Sequence, residues 1–394
     1  MDRTRPESAD VIRLMSIVGT RPEAIKMAPV IRLLNRTPWC ENTVVATAQH
    51  RELLDQVLAQ FGIAVDIDLG IMTSGQSLAL LTARLCEGLD PVLTARRPHI
   101  IVAQGDTTTV MIAALAAFYR RIPFAHVEAG LRTGNLANPF PEELNRTITG
   151  RIAALNFAPT DTARAALLHE GVSPERVFVT GNTIVDAFLE TAATRPALPL
   201  PIDAGQQLVL LTVHRRENLG APLARIFRSV LALVQRHPSV EIIYPIHPNP
   251  EVRAIATQML AGKSRIHMIE PLDYPSLVAV LQRASFLLTD SGGLQEEAPI
   301  VGKPVLVLRE ETERPEGVAA GTAKLVGTDE AVILTEASRL VEDTTSYAAM
   351  ARRGSLYGDG RAAERIVDIL RRYVAGSLAT SSGDEATVAA RLIP

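Results

Sequence analysis

Short apolar runs rich in β-branched residues alternate with longer amphipathic stretches along most of this 394-residue chain, and no other feature constrains its fold as strongly. In the first half, the predicted buried strands are 14–18, 43–48, 99–104, 124–128 and 154–159. Amphipathic stretches such as 76–89 and 107–119 lie between them and predict helices. This alternation is typical of βαβ units that build a parallel, doubly wound sheet.

The alternation breaks at residues 191–207, which contain three prolines and little periodicity, and this segment is interpreted as a linker or domain entrance. The pattern then resumes with predicted strands at 208–213, 241–246, 286–290 and 304–308. The sequence therefore predicts two Rossmann-like α/β domains, 11–182 and 183–360, that face a central cleft. The small, polar segment 378–394 is predicted to be a poorly ordered tail.

Composition narrows the possible partners. The chain is 47% hydrophobic, which excludes a mainly disordered protein, and its net charge of -3 gives no reason to expect nucleic acid or an anionic membrane. The longest apolar run, 110–118, is too short to span a bilayer, which needs about 20 apolar residues. With only two cysteines there is no disulfide framework, so the cytoplasm is the expected location. The eight histidines fall in no metal-binding spacing, so no metal is expected.

Open α/β sheets bind ligands beyond the carboxyl ends of their strands, so the residues at those ends are the first candidates for a functional site. The first strand is followed by Gly19, which would permit a tight turn, and by a helix that carries Arg21 and Lys26 near its start. Two cations beside free backbone N–H groups predict an anion site. The motif is not GxGxxG, which disfavours a nicotinamide cofactor.

Three carboxylates follow neighbouring predicted strands in the first half. Asp106 comes just after the strand that ends at Gln104 and could by itself be a helix N-cap. Glu128 stands at the end of a strand, and Glu142 opens a helix. Each has an ordinary explanation alone, such as a favourable place near a helix dipole. Together, acids with different pKa values could remove and return protons.

In the second half, His214 ends the first strand and is followed by Arg215 and Arg216. A strand-end histidine alone is commonly structural, but two neighbouring arginines favour phosphate binding. Arg314, in the segment ETERPE, is open to two interpretations, a surface ion pair or a phosphate contact.

A second motif in this half has the order strand, Ser291-Gly292-Gly293, helix. The glycines let backbone N–H groups approach an anion closely, and the helix dipole favours negative charge there. Glu296 and Glu297 follow, and one of them could accept hydrogen bonds from a ribose diol. This order predicts a nucleotide-diphosphate site.

Taken together, these segments resemble the non-hydrolysing UDP-N-acetylglucosamine 2-epimerases along nearly the whole chain. The matching stretches are GTRPEAIKMAPVI, TAQHRELLDQVL, QGDTTTV, HVEAGLRTG, PFPEELNRTITGR, GNTIVDA, TVHRREN, EPLDYPSL, DSGGLQEEAPIVGKPVLVLREETERPEG and YGDGRAAERI. The resemblance implies a glycosyltransferase-B-like fold in which a C-terminal helix at about 361–377 crosses back to complete the first domain. It also implies a homodimer and an enzyme that uses no cofactor.

The implied reaction is the reversible interconversion of UDP-N-acetylglucosamine and UDP-N-acetylmannosamine. It proceeds by anti elimination of UDP to 2-acetamidoglucal and re-addition after C2 is reprotonated on the other face. The motif matches imply catalytic positions at Asp106, Glu128, Glu142 and His214. They imply UDP-sugar contacts at Arg21, Lys26, Asp106, Glu128, His214, Leu272, Leu277, Ser291, Gly292, Gly293, Glu297 and Arg314. Among these, Glu297 matches the ribose-binding acid, and the two leucines lie in the loop that reads uracil.

Bacterial members of the family are commonly activated by their own substrate at a second site. The matching positions for that site are Gln49, Arg215 and His247. The chain departs from the family at Glu52 and Gly75, which stand where many members carry Gln and Arg. The second site therefore lacks a cation that activation uses elsewhere in the family.

Four alternatives remain open at this point. A relative could act on a modified sugar, such as a UDP-2,3-diacetamido hexuronate. A hydrolysing epimerase would release free N-acetylmannosamine, although such forms often carry a kinase domain that this chain lacks. A glycosyltransferase or a non-catalytic sugar-nucleotide binding protein could share the architecture. Against both of these stand the three carboxylates Asp106, Glu128 and Glu142.

Overall fold

The computed structural model describes residues 11–47, 51–71, 73 and 75–381, and the chain divides into two compact units. Unit 1 takes the residues before Phe188 together with those from Gly358 onward, and unit 2 is Phe188–Tyr357. Each unit is an α/β domain built on a parallel sheet. The predicted fold class of two parallel-sheet α/β domains is therefore confirmed.

Unit 1 contains a seven-stranded parallel sheet with the order β3-β2-β1-β4-β5-β6-β7. Its strands are β1 Ile12–Val18, β2 Cys40–Ala46, β3 Ile67–Asp68, β4 Ile100–Gln104, β5 Phe124–Val127, β6 Leu155–Ala158 and β7 Val177–Val179. Its helices are α1 Arg21–Arg36, α2 Arg51–Gln60, α3 Leu78–Arg96, α4 Thr108–Tyr119, α5 Glu142–Ile152, α6 Asp161–His169 and α7 Thr183–Ala193, which runs on into unit 2. Because β4 and β5 are neighbours, the segments after them meet at one edge of the sheet.

Unit 2 contains a six-stranded parallel sheet with the order β10-β9-β8-β11-β12-β13. Its strands are β8 Gln207–Thr212, β9 Val240–Pro245, β10 Ile266–Ile269, β11 Phe286–Thr289, β12 Val305–Val307 and β13 Ala323–Leu325. Its helices are α8 Ala221–Arg236, α9 Pro250–Leu260, α10 Tyr274–Arg283, α11 Gly292–Glu297, α12 Pro315–Ala319, α13 Glu330–Glu342 and α14 Thr344–Met350. The pairing of β8 with β11 brings the segments after these two strands together.

Each unit has its own apolar core. In unit 1, Ile17 of β1 and Ile101 of β4 are buried with Leu85 of α3. In unit 2, Leu211 of β8 and Phe227 of α8 occupy the corresponding place. The central strands are buried on both faces, which explains their almost uninterrupted apolar sequences.

Every strand predicted from the sequence is present, and four further strands were missed: β3, β7, β10 and β13. These four occupy the outer positions of the two sheets. Edge strands are short and only partly buried, so they lack the continuous apolar run that identifies a central strand. Val177–Val179, for example, buries only its first residue.

A last helix, α15 Ala362–Ser381, returns to unit 1 and packs against α1. The Asp186 carboxylate accepts hydrogen bonds from the backbone N–H groups of Ala362 at 3.2 Å and Ala363 at 2.9 Å, which fixes the start of the helix. The helix continues beyond the predicted start of the tail at 378, and residues 382–394 lie outside the described residues. Among the described helices, none is long and apolar enough to cross a membrane.

Candidate active site

The turn between β1 and α1 is closed by a capping box. The Thr20 hydroxyl accepts from the Glu23 backbone N–H at 3.4 Å, and the Glu23 carboxylate accepts from the N–H of Thr20 at 2.9 Å. Close packing gives a second reason for the glycine at position 19, besides the predicted tight turn. A Cβ at this position would lie 2.8 Å from the hydroxyl oxygens of both Thr109 and Thr47, so glycine is required by close approach.

Glu23 is also held by residues outside its own helix. It is 3% exposed, and its Oε2 accepts from the Gly19 N–H at 2.6 Å. Its Oε1 accepts from the Thr107 hydroxyl at 2.5 Å. Burial raises the pKa of Glu23 to about 7, although the hydrogen bonds from Thr107 and the backbone oppose this shift. A carboxyl group that gains and loses a proton near neutral pH therefore lies just beside Asp106.

The interpretation of Asp106 as a helix N-cap is wrong. The cap of α4 is Thr107, whose hydroxyl accepts from the Val110 N–H at 3.3 Å. Asp106 instead pairs with Arg146, whose Nη2 lies 2.9 Å from Asp106 Oδ2. The Asn145 side chain donates to the Asp106 carbonyl at 2.9 Å. Helix α5 thus holds Asp106 through both its side chain and its backbone.

Glu128 follows β5 with a φ of 65°, in the left-handed region that non-glycine residues rarely adopt. Its carboxylate forms a buried ion pair with Lys26 of α1 and accepts from the Asn182 amide at 3.0 Å. Lys26, which the sequence suggested for the phosphate side, is therefore placed against an acid. The strained backbone persists because these partners hold the carboxylate in one position.

Glu142 and Glu143 open α5 but point to different surroundings. Glu143 is 1% exposed and accepts from the N–H groups of Thr133 at 3.0 Å and Gly134 at 2.9 Å. Its second oxygen lies 3.5 Å from Arg146 Nε. Glu142 is half-buried, and its carboxylate has no hydrogen-bond or ion-pair partner among the residues that the structure describes. Of the two carboxylates, Glu142 is therefore the more exposed.

A buried histidine supports the turn that follows β4. His126 of β5 is fully buried, and its Nε2 lies 2.7 Å from the Gly105 carbonyl oxygen. Because a carbonyl only accepts, Nε2 carries the proton. Burial lowers the pKa of His126 to about 4, so the ring is neutral at physiological pH. It fixes Gly105, whose φ of 97° begins the turn to Asp106.

The edge of unit 2 is organised around Asp290, a fully buried carboxylate after β11. It accepts from the backbone N–H of His214 at 3.0 Å and of Arg215 at 2.9 Å, and from the Asn218 amide at 2.9 Å. The His214 Nδ1 lies 3.1 Å from Asp290 Oδ1. Burial alone would raise the pKa of Asp290, but His214 and these donors outweigh it and hold the pKa below its usual value.

Two residues assigned to the second site lie next to His214. The His247 ring stacks on the His214 ring with centroids 5.6 Å apart and planes at 21°. The Arg215 guanidinium lies 3.6 Å from Glu313. Gln49 lies outside the described residues, and so does the side chain of Glu52. Gly75 is exposed, and a Cβ there would meet nothing within 4 Å.

The Ser291–Gly293 turn leads from β11 into α11. A Cβ on Gly292 would lie 2.6 Å from Arg314 Nη1, so glycine lets the guanidinium pack directly against the backbone. Gly293 has only side-chain atoms of Ser291 and Glu297 near that position, at 3.9 Å and 4.0 Å. The turn therefore combines backbone N–H groups with an adjacent cation.

Arg314 is buried rather than part of a surface ion pair. It donates from Nε to Glu296 at 2.8 Å and from Nη1 to Glu313, both of which are buried. Glu313 also pairs with Arg309, with Nη1 and Oε2 2.9 Å apart. These charges form one network in which each carboxylate holds a guanidinium in place.

The residues assigned to the nucleoside lie on the same side of unit 2. Glu297 is buried at the end of α11. Burial and then the Glu297 carboxylate hold the pKa of the Tyr274 phenol well above its usual value, so the two side chains are neighbours. Leu272, before α10, and Leu277, within it, are both half-buried.

The structure brings the three predicted carboxylates to one edge of unit 1, and His214 and the Ser291–Gly293 turn to one edge of unit 2. Sequence reasoning missed their supports, which are Glu23, His126, Arg146, Asn182, Asp290 and Glu313. The signal available for Arg146 was its place one helical turn after Glu142 and Glu143. Within the described residues, no group of three His, Cys, Asp or Glu side chains could hold a metal ion.

Known proteins resemble this chain along most of its length. Residues 32–371 match the family model described as UDP-N-acetylglucosamine 2-epimerase. A UDP-N-acetylglucosamine 2-epimerase of Escherichia coli K12 is 46% identical over 374 residues, which cover 91% of this chain and 98% of that protein. The Neisseria meningitidis UDP-GlcNAc 2-epimerase bound to UDP-GlcNAc has a TM-score of 0.89 at 43% identity, with 92% of this chain and 100% of that one covered.

A Staphylococcus aureus protein solved with UDP is similar to the same degree, with a TM-score of 0.87, 44% identity, and 92% and 97% of the two chains covered. The match extends over both sheets and over the strand ends that carry the carboxylates and the SGG turn. The fold, the placement of the candidate residues and the extent of the sequence identity thus lead to one assignment, and this chain belongs to the UDP-N-acetylglucosamine 2-epimerase family.

Proposed function

We propose that this protein interconverts UDP-N-acetylglucosamine and UDP-N-acetylmannosamine. The observation that supports this most directly is the set of acids at one edge of unit 1, where Asp106, Glu128 and Glu142 follow β4 and β5. Inversion at C2 requires that a proton be removed from one face and delivered to the other, and carboxylates at a strand end are suited to both steps. The relatives that bind UDP-GlcNAc and UDP support the choice of substrate.

In the proposed reaction a carboxylate takes the C2 proton, and the electrons of the C–H bond form a C1–C2 double bond. The C1–O bond to the diphosphate breaks, and UDP leaves with that electron pair. UDP then adds back to C1 while a proton reaches C2 on the opposite face. No electrons are gained or lost overall, and UDP is conserved, so the product differs from the substrate only at C2.

The residues of unit 2 are proposed to stabilise UDP as negative charge develops on its β-phosphate. His214 and Arg314 supply cationic or hydrogen-bonding groups. The backbone N–H groups of the Ser291–Gly293 turn add hydrogen-bond donors, and binding through them costs no side-chain entropy. Glu297 is proposed to bind the ribose hydroxyls, and the loop with Leu272 is proposed to contact uracil.

The experiment that tests the function is incubation with UDP-N-acetylglucosamine in D2O, followed by NMR. The elimination route requires deuterium at C2 of both epimers. Epimerisation without exchange at C2 would rule out proton removal at that carbon. Absence of any turnover of this substrate would contradict the proposed substrate itself.

Activation by substrate at the second site is proposed to be weak in this protein, because Gly75 supplies no side chain where many family members have a cation. We expect a hyperbolic dependence of rate on UDP-N-acetylglucosamine concentration. A Gly75→Arg variant would place a cation at an exposed position with open space around it, in a backbone conformation with a φ of 71° that strains any side chain. Strong sigmoidal kinetics in the unaltered protein would contradict this proposal.

We also infer a homodimer. Apolar side chains that are exposed in the single chain support this inference. Leu80 of α3 is 44% exposed, and Phe118 and Tyr119 of α4 are 38% and 72% exposed. The two helices that carry these side chains are in contact with each other. Light scattering would give the mass of the native protein, and Tyr119→Asp is expected to shift it toward the monomer.

A further inference from the structure

The buried carboxylate of Glu23 joins two turns that follow neighbouring strands. Its Oε2 accepts from the backbone N–H groups of Gly19 and Thr20, in the turn after β1. Its Oε1 accepts from the hydroxyl of Thr107, in the turn after β4. Strands β1 and β4 pair in parallel, so the two turns emerge side by side. We name this set of contacts, made by Glu23, Gly19, Thr20 and Thr107, the Glu23 clasp.

The surroundings of the clasp leave little room for movement. The hydroxyls of Thr47 and Thr109 lie 3.2 Å apart beneath it. The position of a Cβ on Gly19 would be only 2.8 Å from each of these oxygens and 3.1 Å from Glu23 Oε2. Three strand ends therefore converge on a closely packed polar cluster, and a shift of one turn must displace the other.

Capping alone does not account for this arrangement. The capping box needs only the contacts of Glu23 with Thr20, and elsewhere in the chain a helix is capped at the surface, as by Ser77 at the start of α3. Glu23 is instead buried, which raises its pKa to about 7 and so opposes its ionised form. Among the hydrogen bonds that oppose this rise in pKa, the one from Thr107 contributes most, and Thr107 belongs to the turn that carries Asp106.

We propose that Glu23 is a positioning residue, which fixes the Asp106 turn against the Arg21 turn and thereby sets where Asp106 stands relative to C2 of the substrate. This inference rests on the proposed function for its catalytic consequence. The clasp acts through Thr107, the neighbour of Asp106, while Arg146 holds the Asp106 carboxylate from the other side. Displacement of a reacting group by about 1 Å costs roughly a hundredfold in rate, so a small shift of this turn is consequential.

The test uses Thr107→Val, which keeps the shape of the side chain and removes its hydroxyl, in the full-length protein. Thr107→Ser restores the hydroxyl and should restore the clasp. Ser77→Ala is the matched control, because it removes a helix-cap hydroxyl in the same unit that accepts from Leu80 at 3.2 Å. Amide hydrogen exchange is measured in all three, without substrate.

The decisive amides are those of residues 19 and 20, which lie far from position 107 in sequence. Loss of the clasp is expected to speed their exchange by about threefold or more in Thr107→Val, with Thr107→Ser and Ser77→Ala near the unaltered protein. The effect of a lost cap would be confined to the start of α4. Unchanged exchange at 19 and 20 in Thr107→Val would overturn the inference.

Kinetics with UDP-N-acetylglucosamine then test the catalytic consequence. In Thr107→Val, kcat is expected to fall about tenfold or more while KM changes much less, because the reacting group moves and the bound nucleotide does not. Faster exchange at 19 and 20 with an unchanged kcat would overturn the positioning role. Failure of the unaltered protein to epimerise would overturn the proposed function, and the exchange measurements would still show whether the clasp exists.

Discussion

At the carboxyl ends of their strands, the two units each carry a pair of one acidic and one basic side chain, and they differ in which of the two is exposed. In unit 1, Asp106 is 32% exposed and its partner Arg146 is 3% exposed, so the acid is presented and the base is buried behind it. In unit 2, His214 is 34% exposed and its partner Asp290 is fully buried, so the base is presented and the acid lies behind. Each pair therefore exposes one member and buries the other, and the exposed member is a carboxylate in unit 1 and an imidazole in unit 2.

One further ion pair of unit 1 exposes neither of its members. Lys26 and Glu128 are both buried, with side-chain exposures of 7% and 6%. Neither member is presented more than the other, and Asn182 adds a further hydrogen bond to the carboxylate. Glu128 is thus the most constrained of the three acids, and its strained backbone belongs to that constraint.

The largest effect is expected from removing the presented acid in unit 1. Asp106→Asn keeps the size of the side chain and removes its charge, and kcat is expected to fall by about 10² to 10⁴ because a proton-transfer group is lost. Binding of UDP, measured by calorimetry, should change little. Asp161→Asn, at the exposed start of α6, is the matched control. A kcat for Asp106→Asn close to that of the control would contradict a role in proton transfer for the exposed acid of unit 1.

The next effect concerns the buried groups of unit 1 and depends on pH. Glu23 has a raised pKa of about 7. The stability that it contributes is therefore present below pH 4.5 and is lost as pH rises toward 7. As pH rises from 4.5 to 7, the free energy of unfolding of Glu23→Gln should therefore increase by about 3 kcal/mol relative to that of the unaltered protein. Urea unfolding followed by the fluorescence of Trp39, the single tryptophan and a residue of unit 1, measures it.

The contribution of His126 to stability changes with pH in the opposite direction, over a pH range that overlaps that of Glu23. Its pKa is lowered to about 4, so the stability it contributes is present above 6.5 and is lost as pH falls toward 4. In the unaltered protein these two groups offset each other between pH 4.5 and 6.5. His126→Gln should therefore expose the decrease with pH that Glu23 causes. Parallel pH curves for the two variants would contradict both assignments.

A smaller effect is expected from the buried acid of unit 2. Asp290→Asn weakens a hub of charged hydrogen bonds, and the free energy of unfolding should fall by about 2 kcal/mol. The decrease should appear in circular dichroism and leave the Trp39 transition of unit 1 in place. UDP affinity should fall as well, because His214 and Arg215 lose their anchor. Normal UDP affinity in Asp290→Asn would show that these donors hold their positions without it.

The smallest effect is expected where neither partner is buried. Arg228 and Glu330 are 50% and 41% exposed and form an ion pair at 2.7 Å. Glu330→Gln should cost less than about 1 kcal/mol, and added salt should abolish the difference. A larger cost, measured by urea unfolding, would mean that burial is not what separates the functional ion pairs from those at the surface.

Much of the fold and many of the candidate residues could be predicted because they depend on local order in the chain. Asp106 and Glu128 are recognisable since each directly follows an apolar strand, and parallel strands bring such residues to one edge. Their partners were not recognisable in the same way. Lys26 and Glu128 are 102 positions apart, and only the strand order places them together. The edge strands were missed because partial burial removes their apolar signal.

Distinguishing a presented charge from a buried one also required the structure. Glu142 and Glu143 are adjacent and chemically alike, and only the turn at Thr133 and Gly134 decides that Glu143 is used for support. Arg314 illustrates the same point, because its guanidinium fits only where Gly292 lacks a side chain. A sequence gives the type of each charged residue, whereas its exposure depends on segments distant in the chain.

The return of α15 to unit 1 has a consequence for the order of events during synthesis. Residues 188–357 form unit 2, and they leave the ribosome before Ala362–Ser381. Unit 2 can therefore complete its sheet while α1 still lacks the helix that packs against it. The seven-stranded sheet of unit 1 is therefore synthesised first, but it gains its last helix only after all of unit 2 has been synthesised.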